Sequence, residues 1–275
     1  LSVIFYIFGF NQINKFSLIE SKKNDFTIRS LGTNINIDRF FSSTNDKKII
    51  NELIEISEPE LDKTTIFVWP EGIISNVYSN KIKIYEDLFK EKFSEKHFFL
   101  LGINEKLTEE NNEKIFNSLT LFDNKLNLIS SYKKINLVPF GEFIPFEKYL
   151  SKTGLRVITK NFYSYSSGNK RNIIYLKNKY LDLKILPLIC YEVIYSGKIF
   201  DDQKFDFIIN VSEDGWFGKS IGPEQHFSHN IFRSIEYGKY IIRSSNNGIS
   251  AIINPKGIIE KSVKLNESGF IDFDY

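Results

Sequence analysis

The sequence predicts a layered α/β domain, and three observations carry that expectation. Short β-branched and aromatic runs recur along the chain, amphipathic helical patterns fall between them, and hairpin signals interrupt the alternation. Strict alternation would give a doubly wound parallel sheet, and the hairpins argue for a more layered arrangement. Strands are expected over 65–69, 97–103, 115–122, 126–132, 183–189 and 207–211. Asp123-Asn124-Lys125 closes a hairpin between two of them. Two more runs, 240–243 and 250–253, flank the turn Asn246-Asn247-Gly248, and Asn254-Pro255-Lys256-Gly257 turns the chain into a further strand. A helix over 46–56 places Ile49, Ile50, Leu53 and Ile54 on one face, and one over 82–93 does the same with Ile82, Tyr85, Leu88 and Phe89. Pro223 suits a first helical turn and opens a third helix, with Phe227, Ile231 and Ile235 spaced four apart.

Composition narrows the function classes. The net charge of +2 comes from 36 basic and 34 acidic residues without a basic run, so nucleic acid is not an expected partner. A single cysteine excludes an intrachain disulfide, which suits a cytosolic protein and a periplasmic one equally. The opening LSVIFYIFGF is almost wholly apolar, shorter than the roughly 20 residues a bilayer span needs, and without the flanks of a signal peptide. There is no methionine anywhere, even at position 1. Together these predict a segment cut from a longer protein, with 1–10 the end of a transmembrane helix and the Lys/Asn-rich 11–25 a connector. No linker or repeat divides 26–275, which reads as one domain.

Three predicted strand ends carry reactive side chains: Trp69-Pro70-Glu71-Gly72, the run from Lys134 to Glu142, and Cys190-Tyr191-Glu192. Open α/β sheets place their sites at such ends. A thiol is a strong nucleophile towards acyl carbonyls once deprotonated. A carboxylate can take its proton and return one to a leaving group, and a lysine ammonium can stabilise both the thiolate and an oxyanion. Singly, a lone cysteine is more often a small buried hydrophobe, and a lone Lys or Glu a surface charge; the weight lies in their coincidence. His226 and His229 lie three apart on the third helix but lack a third ligand, so neither a metal nor a cofactor is expected. A Cys190–His226 pair is conceivable, but the residues around Cys190 carry no papain-like signature.

Taken together, these strings resemble the carbon–nitrogen hydrolase (nitrilase) superfamily and, within it, the apolipoprotein N-acyltransferase family. The resemblance rests on Trp69-Pro70-Glu71, on Lys134 with Val138-Pro139-Phe140-Gly141-Glu142-Phe143-Ile144-Pro145, on Cys190-Tyr191-Glu192, and on the DGWFG…GPEQH…NNG series within 211–257. It implies a four-layer α-β-β-α sandwich over 26–275. It also implies Glu71 as general base, Lys134 as oxyanion stabiliser, Cys190 as nucleophile, Glu142 as a supporting carboxylate, Tyr191 as an oxyanion N–H donor, Glu192 as a shaper of the pocket and Trp69 as part of its wall. Lys134 is preferred over its neighbour Lys133 by its spacing to Pro139-Phe140-Gly141-Glu142. Glu213 stands where the family usually has Asn, and Ser234 where it commonly has Ala; neither is expected to touch the triad. The implied reaction moves an acyl chain from a phospholipid, through a Cys190 thioester, to the amine of a diacylated apolipoprotein, at the periplasmic side of a bacterial inner membrane. Phe143, Phe146, Phe162, Tyr163 and Tyr165 would then suit lipid-facing loops or, equally, plain core packing. The alternatives are a soluble nitrilase-type amidase and a non-catalytic domain of the same fold.

Overall fold

The computed structural model describes residues 1–16, 26–41, 45–109, 112–145, 164–197 and 204–274. Helix α1 (Ser2–Phe16) is followed by β1 (Phe26–Thr33), α2 (Asp46–Ser57), β2 (Thr64–Trp69), α3 (Glu86–Lys90), β3 (His97–Glu109), β4 (Asn112–Asp123) and β5 (Leu128–Lys133). The second half holds β6 (Ile174–Lys177), β7 (Asp182–Ile189), β8 (Phe207–Glu213), α4 (Gly222–Tyr237), β9 (Ile241–Asn246), β10 (Ser250–Ile253), β11 (Ile259–Val263) and β12 (Gly269–Asp274).

The strands follow the order β5-β4-β3-β2-β1-β9-β8-β7-β6, with β12 against β1, β10 against β9 and β11 against β10. β1, β2 and β3 are parallel neighbours, as are β7, β8 and β9. β1 and β9 share only the pairs Gly32↔Ser245 and Thr33↔Asn246, so two half-sheets join at one end and fold face to face. Asn246 secures that join by accepting from Thr33 Oγ1 at 2.7 Å and from the Ile35 N–H at 2.9 Å. Inner side chains of both halves, among them Ile66, Val68, Leu119, Ile185, Ile209 and Ile242, form the central core. The outer faces are covered by α2 and α3 on one side, around Leu53, Phe67 and Phe99, and by α4 on the other, around Leu186, Ile208 and Phe227. Four layers, α-β-β-α, result, each sheet burying both faces.

Several elements differ from the sequence expectation. Strand β1 is absent from it, because FTIRSLGT shows no alternation; all eight residues are nevertheless buried. Its polar members are satisfied from within: Arg29 pairs with Asp272 at 2.8 Å and donates to the Ser57 carbonyl at 2.9 Å, and Ser30 donates to the Arg243 carbonyl at 2.8 Å. The short β6 and the closing β12 were also not anticipated. β3 and β4 run well past 103 and 115 as a two-stranded arm outside the core, held by ladder bonds and pairs such as Lys106–Glu113 at 2.7 Å, so no apolar pattern marks them. The expected helix 82–93 is a 3₁₀ turn (Ile82–Tyr85) leading into α3, with Ile82 and Phe89 turned inward and Ile84 exposed. On α4 the buried face is Pro223, His226, Phe227, Asn230, Arg233 and Ser234, a mostly polar stripe, and Ile235 is largely exposed beside Gly257.

All of the first ten residues but Leu1 are helical, and α1 continues through Phe16 into the expected connector, whose 17–25 lie outside the described residues. Val3, Ile4, Phe5, Tyr6 and Phe8 are exposed. No described helix is long and apolar enough to cross a membrane. Phe146, Phe162 and Tyr163 also lie outside the described residues.

Candidate active site

Strand β2 delivers Glu71 two residues beyond its end, in a turn whose next residue, Gly72, has a φ of 55°. The Glu71 backbone lies against β3 at Gly102, where an added Cβ would fall 2.5 Å from Glu71 Cα and from the Pro70 carbonyl oxygen. Glycine is required there for close approach. The buried carboxylate of Glu71 accepts from Asn117 Nδ2 at 2.7 Å and from the Glu213 backbone N–H at 2.9 Å.

Lys134 follows β5, with its N–H donating to the Asn117 carbonyl at 2.8 Å. Its buried Nζ lies 3.3 Å from Glu71 Oε1 and 2.9 Å from Glu142 Oε1. Glu142 is brought back by a tight turn with Phe140 at a φ of 61°, and its second oxygen accepts from the Val138 N–H at 2.8 Å. Asn117 Nδ2 also donates to Glu142 at 2.8 Å, so one amide bridges both carboxylates. Burial disfavours the Lys134 ammonium, but Glu71 and Glu142 outweigh it and raise its pKa well above the ordinary value. The lysine is therefore a fixed cation.

Cys190 directly follows β7 and opens a 3₁₀ turn (Cys190–Ile194) with its own φ at 47°, a left-handed backbone unusual for a residue with a side chain. Such a bend turns the thiol out of the strand direction, and backbone strain of this kind concentrates at reactive positions. The half-buried thiol has Glu71 and Lys134 as electrostatic neighbours. Burial pushes its pKa up and the Glu71 carboxylate adds to this, while Lys134 opposes. Asp214 adds a second carboxylate on the same side, so the resting cysteine stays a thiol and deprotonation requires a base.

The remaining expected residues divide. Tyr191 follows Cys190 in the turn, half-buried, with its ring edge-on to Tyr195 at 5.5 Å. Glu192 is fully buried. Its Oε1 accepts from Tyr132 Oη (2.7 Å), the N–H groups of Ile135 (3.0 Å) and Asn136 (3.2 Å) and Arg171 Nη2 (3.0 Å), while Oε2 accepts from the Ile189 N–H at 2.9 Å. One carboxylate thus ties the lysine loop to the cysteine turn. Trp69 is not at the site: alternation along β2 turns it with Phe67 into the outer core, where its indole donates to Ser57 Oγ at 3.1 Å beside Phe89. Glu213 was expected to stay clear of the triad, yet its backbone N–H holds Glu71. Ser234 is buried on α4 and donates to the Ile231 carbonyl at 2.8 Å.

Behind the cysteine turn, His226 Nδ1 bonds Asp214 Oδ1 at 2.9 Å, and Asp214 pairs with Arg243 at 2.7 Å. The other ring nitrogen, Nε2, is buried without a hydrogen-bond partner among the described residues, so His226 makes no hydrogen bond to Cys190. Sequence reasoning missed Asn117 and Arg171, whose only signal is a polar residue within or beside a strand that must have a buried partner.

The carbon–nitrogen hydrolase family model matches residues 56–273. The chain belongs to the carbon–nitrogen hydrolase family. This hydrolase-family chain is similar to the apolipoprotein N-acyltransferase of Brucella suis biovar 1, 28% identical over 272 residues, covering 96% of the chain and 50% of that protein. It is also similar to those of Wigglesworthia glossinidia brevipalpis (32% identical, covering 98% and 54%) and Rickettsia typhi (34%, covering 79% and 43%). The chain spans about half the length of the curated relatives it matches. Among solved structures, a mutant amidase of Nesterenkonia sp. AN1 with the acetamide moiety of fluoroacetamide added covalently at its active-site cysteine has a TM-score of 0.59 at 14% identity, covering 94% of this chain and 92% of that one. Another mutant of that amidase, in complex with butyramide, gives 0.58 at 12%. These likenesses show the nitrilase-type sandwich.

Proposed function

We propose that this domain transfers an acyl chain through a thioester on Cys190. The observation that carries the reading is the buried Glu71–Lys134–Glu142 cluster set against a cysteine in a left-handed turn. As the thiol attacks the ester carbonyl of a phospholipid, Glu71 takes its proton. The negative charge moves from the carboxylate to sulfur and then to the carbonyl oxygen, all beside the Lys134 ammonium and within reach of the Tyr191 N–H. Collapse of the tetrahedral intermediate expels the lysophospholipid alkoxide, which Glu71 protonates. The amine of a diacylglyceryl-cysteine apolipoprotein then attacks the thioester, Glu71 accepts its proton, and the thiol is restored with that proton. Glu142, joined to Glu71 through Asn117, holds Lys134 in place throughout.

The acceptor and donor are supported by the similarity to apolipoprotein N-acyltransferases. A membrane setting is supported by the exposed apolar side chains of α1, and the periplasmic side is carried over from the likeness to apolipoprotein N-acyltransferases alone. The test is intact-protein mass spectrometry after incubation with phospholipid. An acyl adduct on Cys190, absent in Cys190→Ser and discharged by a diacylated lipopeptide amine, is expected. No adduct would overturn the reading, and discharge to water alone would make the domain a hydrolase.

A further inference from the structure

Two short 3₁₀ turns meet beside Glu71. One, Ile37–Phe40, carries Arg39 and Phe40. The other, Asp214–Phe217, follows β8 and carries Trp216. On the outside Phe40 stacks on Trp216 at 5.1 Å, Phe41 meets the same indole edge-on at 6.1 Å, and both Phe41 and Trp216 are exposed. Phe40 also reaches inward, since a Cβ on Gly72, the residue after Glu71, would lie 3.3 Å from its ring. Underneath, the two turns are joined by an ion pair between Arg39 and Glu213 in which each side chain is 1% exposed. Glu213 also accepts from Asn246 Nδ2 at 2.8 Å and from the Gly215 N–H at 2.9 Å, while its own N–H donates to Glu71 Oε2 at 2.9 Å. The Arg39 guanidinium packs over the Phe40 ring at 4.3 Å and donates to the Asn36 carbonyl at 3.2 Å.

We infer that the Arg39–Glu213 pair is a positioning device that fixes Glu71 from behind and latches the aromatic bracket Phe40–Trp216 beside it. Beneath the aromatic contact, one charged pair among the described residues ties the two loops, and it lies on the residue whose backbone holds Glu71. Removing one charge leaves the other buried without a counter-charge, which forces the turns apart. An ångström of movement at a proton-transfer group costs orders of magnitude in rate. Burial pushes the Glu213 carboxyl up to about 7 against the pull of Arg39. The charged groups around it are Arg39 from the first turn and Glu71, through the backbone, from the end of β2. The adjacent Asp214 is turned to Arg243 and His226.

The inference rests on Glu71 acting as the base, so the test has one arm independent of that role. Trp69 is fully buried, so acrylamide quenching of tryptophan emission reports Trp216. In the full chain at a pH above about 7, where Glu213 is charged, Glu213→Gln should show stronger quenching than wild type, because Arg39 is then buried without a counter-charge. Thioester formation from p-nitrophenyl butyrate should slow about tenfold or more at unchanged KM. Arg39→Met combined with Glu213→Gln removes both charges and is expected to regain stability. If the pair only supports the fold, acylation recovers with stability in that double variant, and the inference fails. It also fails if quenching matches wild type in both variants. If Glu213→Gln does not fold, the double variant and Arg39→Lys carry the same two readouts. Absence of thioester in the wild type would instead remove the acyl-transfer proposal, and the quenching arm would still judge the latch.

Discussion

At the scale of single residues, the site is a buried cluster in which every charge has a designated partner. Lys134 stands between Glu71 and Glu142, and Asn117 supplies a neutral donor to both. Lys134→Met would leave two carboxylates facing each other in a dry interior. Breaking a buried pair costs about 3–5 kcal/mol, so urea unfolding should show a loss of that order and thioester formation should vanish. Adding Glu142→Gln to this variant should restore part of the stability and none of the chemistry, because the carboxylate repulsion goes while the cation stays absent. Glu192 acts on the same scale by another route. It touches no reacting atom, yet its two oxygens accept five hydrogen bonds from β5, the lysine loop, Arg171 and β7.

At the scale of elements, the site depends on backbone that only particular residues tolerate. The left-handed φ of Cys190 carries a steric cost of about 1–2 kcal/mol for any residue with a Cβ. Cys190→Gly should therefore unfold at higher urea than Cys190→Ala, although both lack the thiol; equal midpoints would show that the turn is unstrained. Gly102 tests the opposite relation. A Cβ there would meet Glu71 Cα and the Pro70 carbonyl, both backbone and unable to swing aside. Gly102→Ala should push the base out of place and depress acylation more than about tenfold, with the Lys134 loop on the far side of β4 left intact. The helices illustrate a related point. α4 turns a polar stripe inward because His226 finds Asp214 and Arg233 finds the Tyr195 carbonyl at 2.6 Å.

At the scale of the molecule, two half-sheets joined at β1 and β9 bring the ends of β2, β5, β7 and β8 to one place. The join is lined with buried polar groups, and one of them sets an acid limit. Burial works to raise the Asp214 pKa, but Arg243 and His226 outweigh it and hold the carboxyl well below its ordinary 3.8. A depressed folded-state value means the stabilisation is complete above the ordinary value and is lost as the pH falls through it towards the folded one. Wild-type stability in urea should hence fall steeply below about pH 4. Asp214→Asn should begin lower at neutral pH, because Arg243 is then unpaired, and change less on acidification; parallel curves would sink the assignment.

The sequence by itself singled out Glu71, Lys134, Cys190 and Glu142, which the structure brings together, because reactive side chains at strand ends in ordered strings are a one-dimensional signal. It also determined the strands and helices whose faces alternate between core and solvent or core and core. Tertiary structure alone decided the rest. Strand β1 is buried on both faces and pairs its polar groups with residues more than two hundred positions away, such as Arg29 with Asp272 and Ser30 with Arg243, so no local period marks it. Asn117 lies between two carboxylates only once β4 sits beside β3. Glu192 became a tie when the chain brought the lysine loop over it. Trp69 shows the converse: two residues from Glu71 in sequence, it faces the outer core with Phe67, because β2 ends at Trp69 and the chain turns through Pro70 before it reaches Glu71.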